Sequence, residues 1–136
     1  MSYTYLAIAY TGHEAESYQH SLDALAAYMR AELPAFSPIA HTHEVAVKHE
    51  LPGDWSFWKQ HGLAMVTPAI AVHIIVPPEW ETITLESRGV QAEARYAASL
   101  NKHMHAVVLD GSQTRIHPDE RLILETLHGH AAAGRA

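Results

Sequence analysis

The chain has 136 residues, 48% of them hydrophobic, and a formal charge of −6 at pH 7. That is enough apolar mass for one core and too little basic charge to track a nucleic-acid backbone, so a polymer partner is not expected. There is no cysteine, which excludes disulfide scaffolds, thiolate metal sites and cysteine nucleophiles together and points to the cytosol. No apolar run approaches the roughly 20 residues that span a bilayer, and the start lacks the basic-then-apolar order of a signal peptide, so a cytoplasmic protein with no membrane attachment is expected.

Tyr3 to Ala9 is predicted as a strand and Tyr10-Thr11-Gly12-His13 as the loop after it, with Thr11 and Glu14 at capping-box spacing. Tyr18, Leu22, Leu25 and Met29 repeat at helical intervals and predict an amphipathic helix that ends before Pro34. A short strand is expected at Ala35-Phe36, then loop or irregular helix from Ser37 to His43, and a break at Pro52-Gly53. Asp54 is placed to cap a helix that holds Trp55, Trp58 and Leu63. Ala69 to Val76 carries only His73 as a strongly polar residue, the pattern of a central strand covered on both faces, and Pro77-Pro78 ends it.

Glu79 to Glu86 reads as loop, residues 87–101 as helix, and His105 to Leu109 as a further strand closed by Asp110-Gly111. Pro118 opens a last helix, about 118–128, with Leu122, Ile123 and Leu127, and the Ala/Gly tail beyond His130 is expected to fray. Strands that alternate with helices imply parallel pairing. The whole chain, 1–136, is therefore expected to be one α/β domain: three layers, doubly wound and flavodoxin- or Rossmann-like, with about five mostly parallel strands and helices on both faces. Ligands bind such sheets beyond the carboxyl ends of the strands, where Tyr10, the Ser37–His43 segment and the Ser87–Glu93 segment should gather.

Within the helix predicted over 87–101, Val90, Ala94, Ala97 and Leu100 form one apolar stripe, and Glu93 lies on it. Burying an unpaired carboxylate costs several kcal/mol, so an acid there must be hydrogen-bonded, paired or at the floor of a cleft. Ser87 can cap this helix, and Gly89 leaves room for a ligand near the first-turn N–H groups, which attract anions. Ser87 and Glu93 are six residues apart, so a phosphorylated sugar could touch both. The plain alternatives are a structural acid and an ordinary cap.

Other chemistries leave fainter marks. The chain has twelve histidines, and His41-Thr42-His43, if extended, would turn both imidazoles to one face and could share a metal with His49. No Gly-x-Ser-x-Gly elbow, Gly-x-Gly-x-x-Gly turn or Walker loop is present, which removes the hydrolase, dehydrogenase and NTPase readings that depend on them. Trp55 and Trp58 suit a core or a subunit interface, with base stacking as the functional alternative.

Taken in order, these segments have a family likeness. Tyr5-Leu6-Ala7 with Tyr10, Phe36-Ser37-Pro38-Ile39-Ala40-His41-Thr42-His43, Asp54-Trp55 with Trp58, Trp80, and Ser87-x-Gly89-Val90-x-x-Glu93 resemble the nucleoside 2-deoxyribosyltransferase-like superfamily, and within it a small branch, over roughly residues 3–109. The resemblance implies that Glu93 attacks the anomeric carbon of a nucleoside or nucleotide, that Tyr5 orients it, and that neither metal nor organic cofactor is needed. Members that act on free deoxynucleosides usually carry aspartate where this chain has Ser87, so the implied substrate is a nucleoside 5′-monophosphate held by Ser87 and Gly89, in a pocket lined by Tyr10, Ser37 and His41. Where the branch often has aspartates, this chain reads His61-Gly62-Leu63 and Pro68-Ala69-Ile70, which leaves Asp54 or His41 to protonate the departing base. A homo-oligomer, dimer or tetramer, is also implied. The alternatives are a nucleotide-binding module that has lost the chemistry, and a histidine-based metal protein.

Overall fold

A computed structural model describes residues 2–129, and the expected fraying tail lies outside them. The elements run β1 (Thr4–Ala7), α1 (Glu14–Arg30), β2 (Ala35–Phe36), α2 (Pro38–Lys48), α3 (Trp55–Val66), β3 (Ala71–Val76), α4 (Glu81–Glu86), α5 (Arg88–Ser99), β4 (His103–Asp110), β5 (Gln113–Ile116) and α6 (Arg121–His128). The five strands form one sheet in the order β2-β1-β3-β4-β5. Every pairing is parallel except β4 with β5, a hairpin that turns at Gly111 with φ +64°. The fold is thus α/β with a mostly parallel five-stranded sheet and helices on both faces, as the alternation of elements predicts.

Two apolar clusters define the layers. On one face Tyr5, Ala7, Val72 and Ile74 meet Val66 of α3, Leu85 of α4, Val90, Ala94 and Ala97 of α5 and Leu122 of α6. On the other face Leu6, Ile75, Val107 and Leu109 meet Ala24 and Tyr28 of α1. Strand periodicity sends alternate residues to these two layers, so Tyr5 and Leu6 are both buried, in different cores.

Several local expectations need correcting. The buried face of α1 is Ser17, Ser21, Ala24 and Tyr28, one position away from the predicted stripe, and Met29 is 67% exposed. Small residues let α1 lie close to the sheet, and that close approach outweighs raw hydrophobicity. Thr11 makes no capping box: its hydroxyl donates to the Gly53 carbonyl at 2.9 Å, while Glu14 reaches back to the Gly12 N–H at 2.9 Å. Ser37 to His43 is not irregular, because Ser37 accepts from the Ala40 N–H and Pro38 starts a regular helix. The stretch expected as loop at 79–86 contains the short α4, and β5 was not predicted as a strand at all.

Candidate active site

The floor of the site comes from β1 and α5. Tyr5 stands on β1 and is fully buried, while Glu93 stands on the inward side of α5 and is 5% exposed. The Tyr5 hydroxyl donates to Glu93 Oε2. Burial pushes the Glu93 carboxyl up to about 8, against the Tyr5 hydrogen bond that lowers it, so at neutral pH the acid is mostly protonated. The Tyr5 phenol is held well above its ordinary value by burial first and by Glu93 second.

Above this pair lies a cavity of about 770 Å³. It opens beyond the carboxyl ends of β1 and β2, between the loop after β1, the start of α2, the α3 helix and the α4–α5 junction, the place where such sheets bind ligands. Glu93, Tyr5, Tyr10, Asp54, Ser87 and Gly89 all line it. The Tyr10 hydroxyl is fixed by His43 Nδ1 at 2.8 Å, and the His43 ring stacks on Tyr18 with centroids 4.4 Å apart.

Two expected pocket residues are placed elsewhere. Ser37 is 3% exposed and spends its hydroxyl on the α2 cap, so it is structural. His41 lies on α2 outside the cavity lining, tilted against Phe36 at 5.5 Å and stacked on His61 at 6.0 Å. Both corrections share one cause: the regular helix, in place of a loop or irregular turn, leaves Ser37 and His41 outside the lining and offers Pro38, Ile39 and Thr42 instead. The helix also undoes the idea that His41 and His43 share a metal, since residues two apart on a helix do not face one another. Among the described residues no group of three or more His, Asp or Glu side chains is placed to hold a metal ion.

Ser87 combines the two roles expected of it only in part. Its hydroxyl accepts from the Val90 N–H at 3.2 Å, so it is the N-cap of α5 as well as a wall of the cavity. The room beside Gly89 is taken up by Trp55, whose Cε3 lies 3.1 Å from where a Cβ would stand. The Asp54 carboxyl is held below its ordinary value, chiefly by the Ser56 hydroxyl in the first turn of α3. It is therefore ionised at neutral pH and has no proton to give a leaving group.

The sequence reading missed His61, Lys59, Arg88 and Arg95, all of which line the cavity. Spacing alone held a signal for one of them: His61 precedes Gly62, an internal helix glycine that a packing reason must explain. The three cations carry no such signal, because a helix shows its charges to solvent and to a cleft alike. No helix among the described residues is long and apolar enough to cross a membrane. No family model matches the chain, and neither does any curated protein or solved structure.

Proposed function

We propose that the cavity binds a nucleoside 5′-monophosphate and that Glu93 cleaves its N-glycosidic bond. The observation that carries this reading is the Glu93 carboxyl, buried, hydrogen-bonded through one oxygen to Tyr5, and lining a cavity at the carboxyl ends of parallel strands. Tyr5 occupies Oε2, which leaves Oε1 for attack. In the first step C1′–Oε1 forms as C1′–N breaks, and the base departs with the bonding electrons and takes up a proton; water or an acceptor then opens the glycosyl ester. His61, on α3 at the cavity wall, donates a ring N–H to the departing base, which takes its proton from water.

The phosphate has partners in Arg88, Lys59 and the first turn of α5, so a chain of net negative charge still offers local cations to an anion. Attack requires the carboxylate. Base release should therefore rise with pH toward about 8, the range in which Glu93 gives up its proton. Incubation with a panel of ribo- and deoxynucleoside monophosphates, with freed base read by chromatography, tests the reading. Glu93→Ala should lower release by at least ~10³-fold, and undiminished turnover in that variant removes Glu93 from the mechanism.

One observation favours a second reading, a binding module without cleavage: a neutral Glu93 at pH 7 is a poor nucleophile. Calorimetry would then show a monophosphate bound and intact after prolonged incubation. A cysteine-free chain suits the reducing cytoplasm. A homo-oligomer belongs to the same proposal, because Val45, Val47 and Phe57 stand 51%, 64% and 48% exposed on α2 and α3. Sedimentation that finds only monomer at high concentration would remove that part.

A further inference from the structure

Gly62 lies against both groups at the floor of the site, and its own backbone does not call for glycine. It is buried inside α3 and is not among the glycines with positive φ, which are Gly12, Gly111 and Gly129. Glycine inside a helix weakens it relative to alanine, so the missing side chain needs a packing reason. A Cβ at Gly62 would stand 3.2 Å from the Tyr5 hydroxyl oxygen, 3.5 Å from Glu93 Oε2 and 3.5 Å from Trp55 Cζ3. The last two are ordinary contacts, while the first is tighter than packed side chains normally come. At Gly89, on the facing helix α5, the three nearest atoms to such a Cβ all belong to Trp55. Gly89 makes room for a ring, whereas Gly62 makes room for a hydroxyl.

The Tyr5 oxygen has nowhere to retreat from a side chain at Gly62. Tyr5 is fully buried, its strand pairs with β2 on one side and β3 on the other, and its ring lies 6.2 Å from that of Phe36. What it can give up is its hydrogen bond to Glu93. No other group has the same hold on that carboxyl. Asp54, Lys59, His61, Glu86, Arg88 and Arg95 line the cavity around it, but all six are exposed, and the Glu93 proton is governed by burial and by Tyr5.

We propose that Gly62 is a positioning residue of this site: the bare backbone of α3 leaves the Tyr5 hydroxyl the room to bond Glu93 Oε2, and so keeps the other carboxyl oxygen for the ligand. This inference rests on the reading of Glu93 as the reacting group and deepens it, while the positioning itself can be measured without turnover. Gly62 acts through Tyr5, so its effect must vanish when the Tyr5 hydroxyl is removed.

Infrared titration of the protonated Glu93 carboxyl, assigned by its loss in Glu93→Gln, tests the positioning. The Tyr5 bond favours the carboxylate, so weakening it keeps the proton on to higher pH. Gly62→Ala should therefore move the midpoint upward from about 8 by about half a pH unit or more. In a Tyr5→Phe background the crowded oxygen is gone, and the same substitution should leave the midpoint nearly where it was. A midpoint that Gly62→Ala does not move, or moves equally in both backgrounds, overturns the proposal. If Gly62→Ala fails to fold in the wild type, the Tyr5→Phe background decides. There the double variant should resist urea at least as well as Tyr5→Phe alone, because only the helix-favouring effect of alanine remains. A double variant that also fails to fold overturns the proposal. A midpoint shift in a protein that frees no base removes the reaction and keeps the positioning; base release with a titration indifferent to Gly62→Ala does the reverse.

Discussion

Two tyrosine pairs lie back to back across the sheet, and one of them faces the large cavity. Tyr5 of β1 donates to Glu93 on the α5 side, while Tyr28 of α1 bonds Nδ1 of His73 on the other side. The strands bring them close: Tyr5 is in register with Val72, the neighbour of His73, and alternation turns the two side chains to opposite faces. Burial drives both titrating groups toward neutrality, Glu93 up to about 8 and His73 down to about 4, the latter helped by His105. The pairs differ in what lies beyond them. His73 is covered by Tyr28 of α1 and lies outside that cavity, whereas Glu93 borders about 770 Å³ of space. A displaced titration by itself is thus a mark of burial; it becomes a mark of chemistry where a ligand can reach the group.

The largest predicted effect tests the Glu93 half of that comparison. With a folded value near 8 and an ordinary value of 4.5, the native state holds a proton that the unfolded chain releases, so this contribution to stability is complete below pH 4.5 and is lost as pH rises through about 8. Urea unfolding should show the wild type losing a few kcal/mol over that range, with Glu93→Gln flat across it. A wild-type slope that survives in Glu93→Gln would place the titrating group elsewhere. Next in size is Tyr5→Phe. Loss of the hydroxyl removes the one contact that favours the Glu93 carboxylate, so the rising limb of the pH–rate profile should move above about 8 and kcat/KM should fall roughly 10- to 100-fold.

His73 should behave as the mirror image. Its folded value lies below the ordinary 6.5, so its contribution to stability is complete above pH 6.5 and is lost as pH falls through about 4. His73→Leu should flatten that acid-side loss, worth about 1 kcal/mol after allowance for the exposed part of the ring, and should leave base release unchanged. Impaired base release in a well-folded His73→Leu would show that the two faces are coupled and would break the contrast.

The parts of this molecule that periodicity controls were legible before any coordinates. Alternating strands and helices, the apolar run of β3 and the acid on the stripe of α5 all follow from which face each residue must bury. The errors fall where a specific contact outranks periodicity. Ser17 and Ser21 displace Leu22 from the inner face of α1 because close packing needs small side chains there. Ser37 and Pro38 together start a regular helix where the sequence suggested loop or irregular helix, and that regularity takes Ser37 and His41 out of the expected pocket. The packing of Trp55 of α3 against Gly89 of α5 joins two helices far apart in sequence, and no local pattern encodes such a meeting.

Ser87 gives the smallest effect and the finest distinction, because its cap and its place at the cavity can be separated. Ser87→Ala removes the acceptor for the Val90 N–H and should cost about 1 kcal/mol in urea unfolding. Ser87→Asp caps equally well and adds a carboxylate beside the helix terminus, so it should restore that stability. The same carboxylate repels a phosphate. Calorimetric titration with a nucleoside monophosphate should then show roughly tenfold weaker binding in Ser87→Asp than in wild type, with little change for the free nucleoside. Equal monophosphate affinity in wild type and Ser87→Asp would confine Ser87 to its cap and move the phosphate toward Lys59, leaving Glu93 and its cavity where they are.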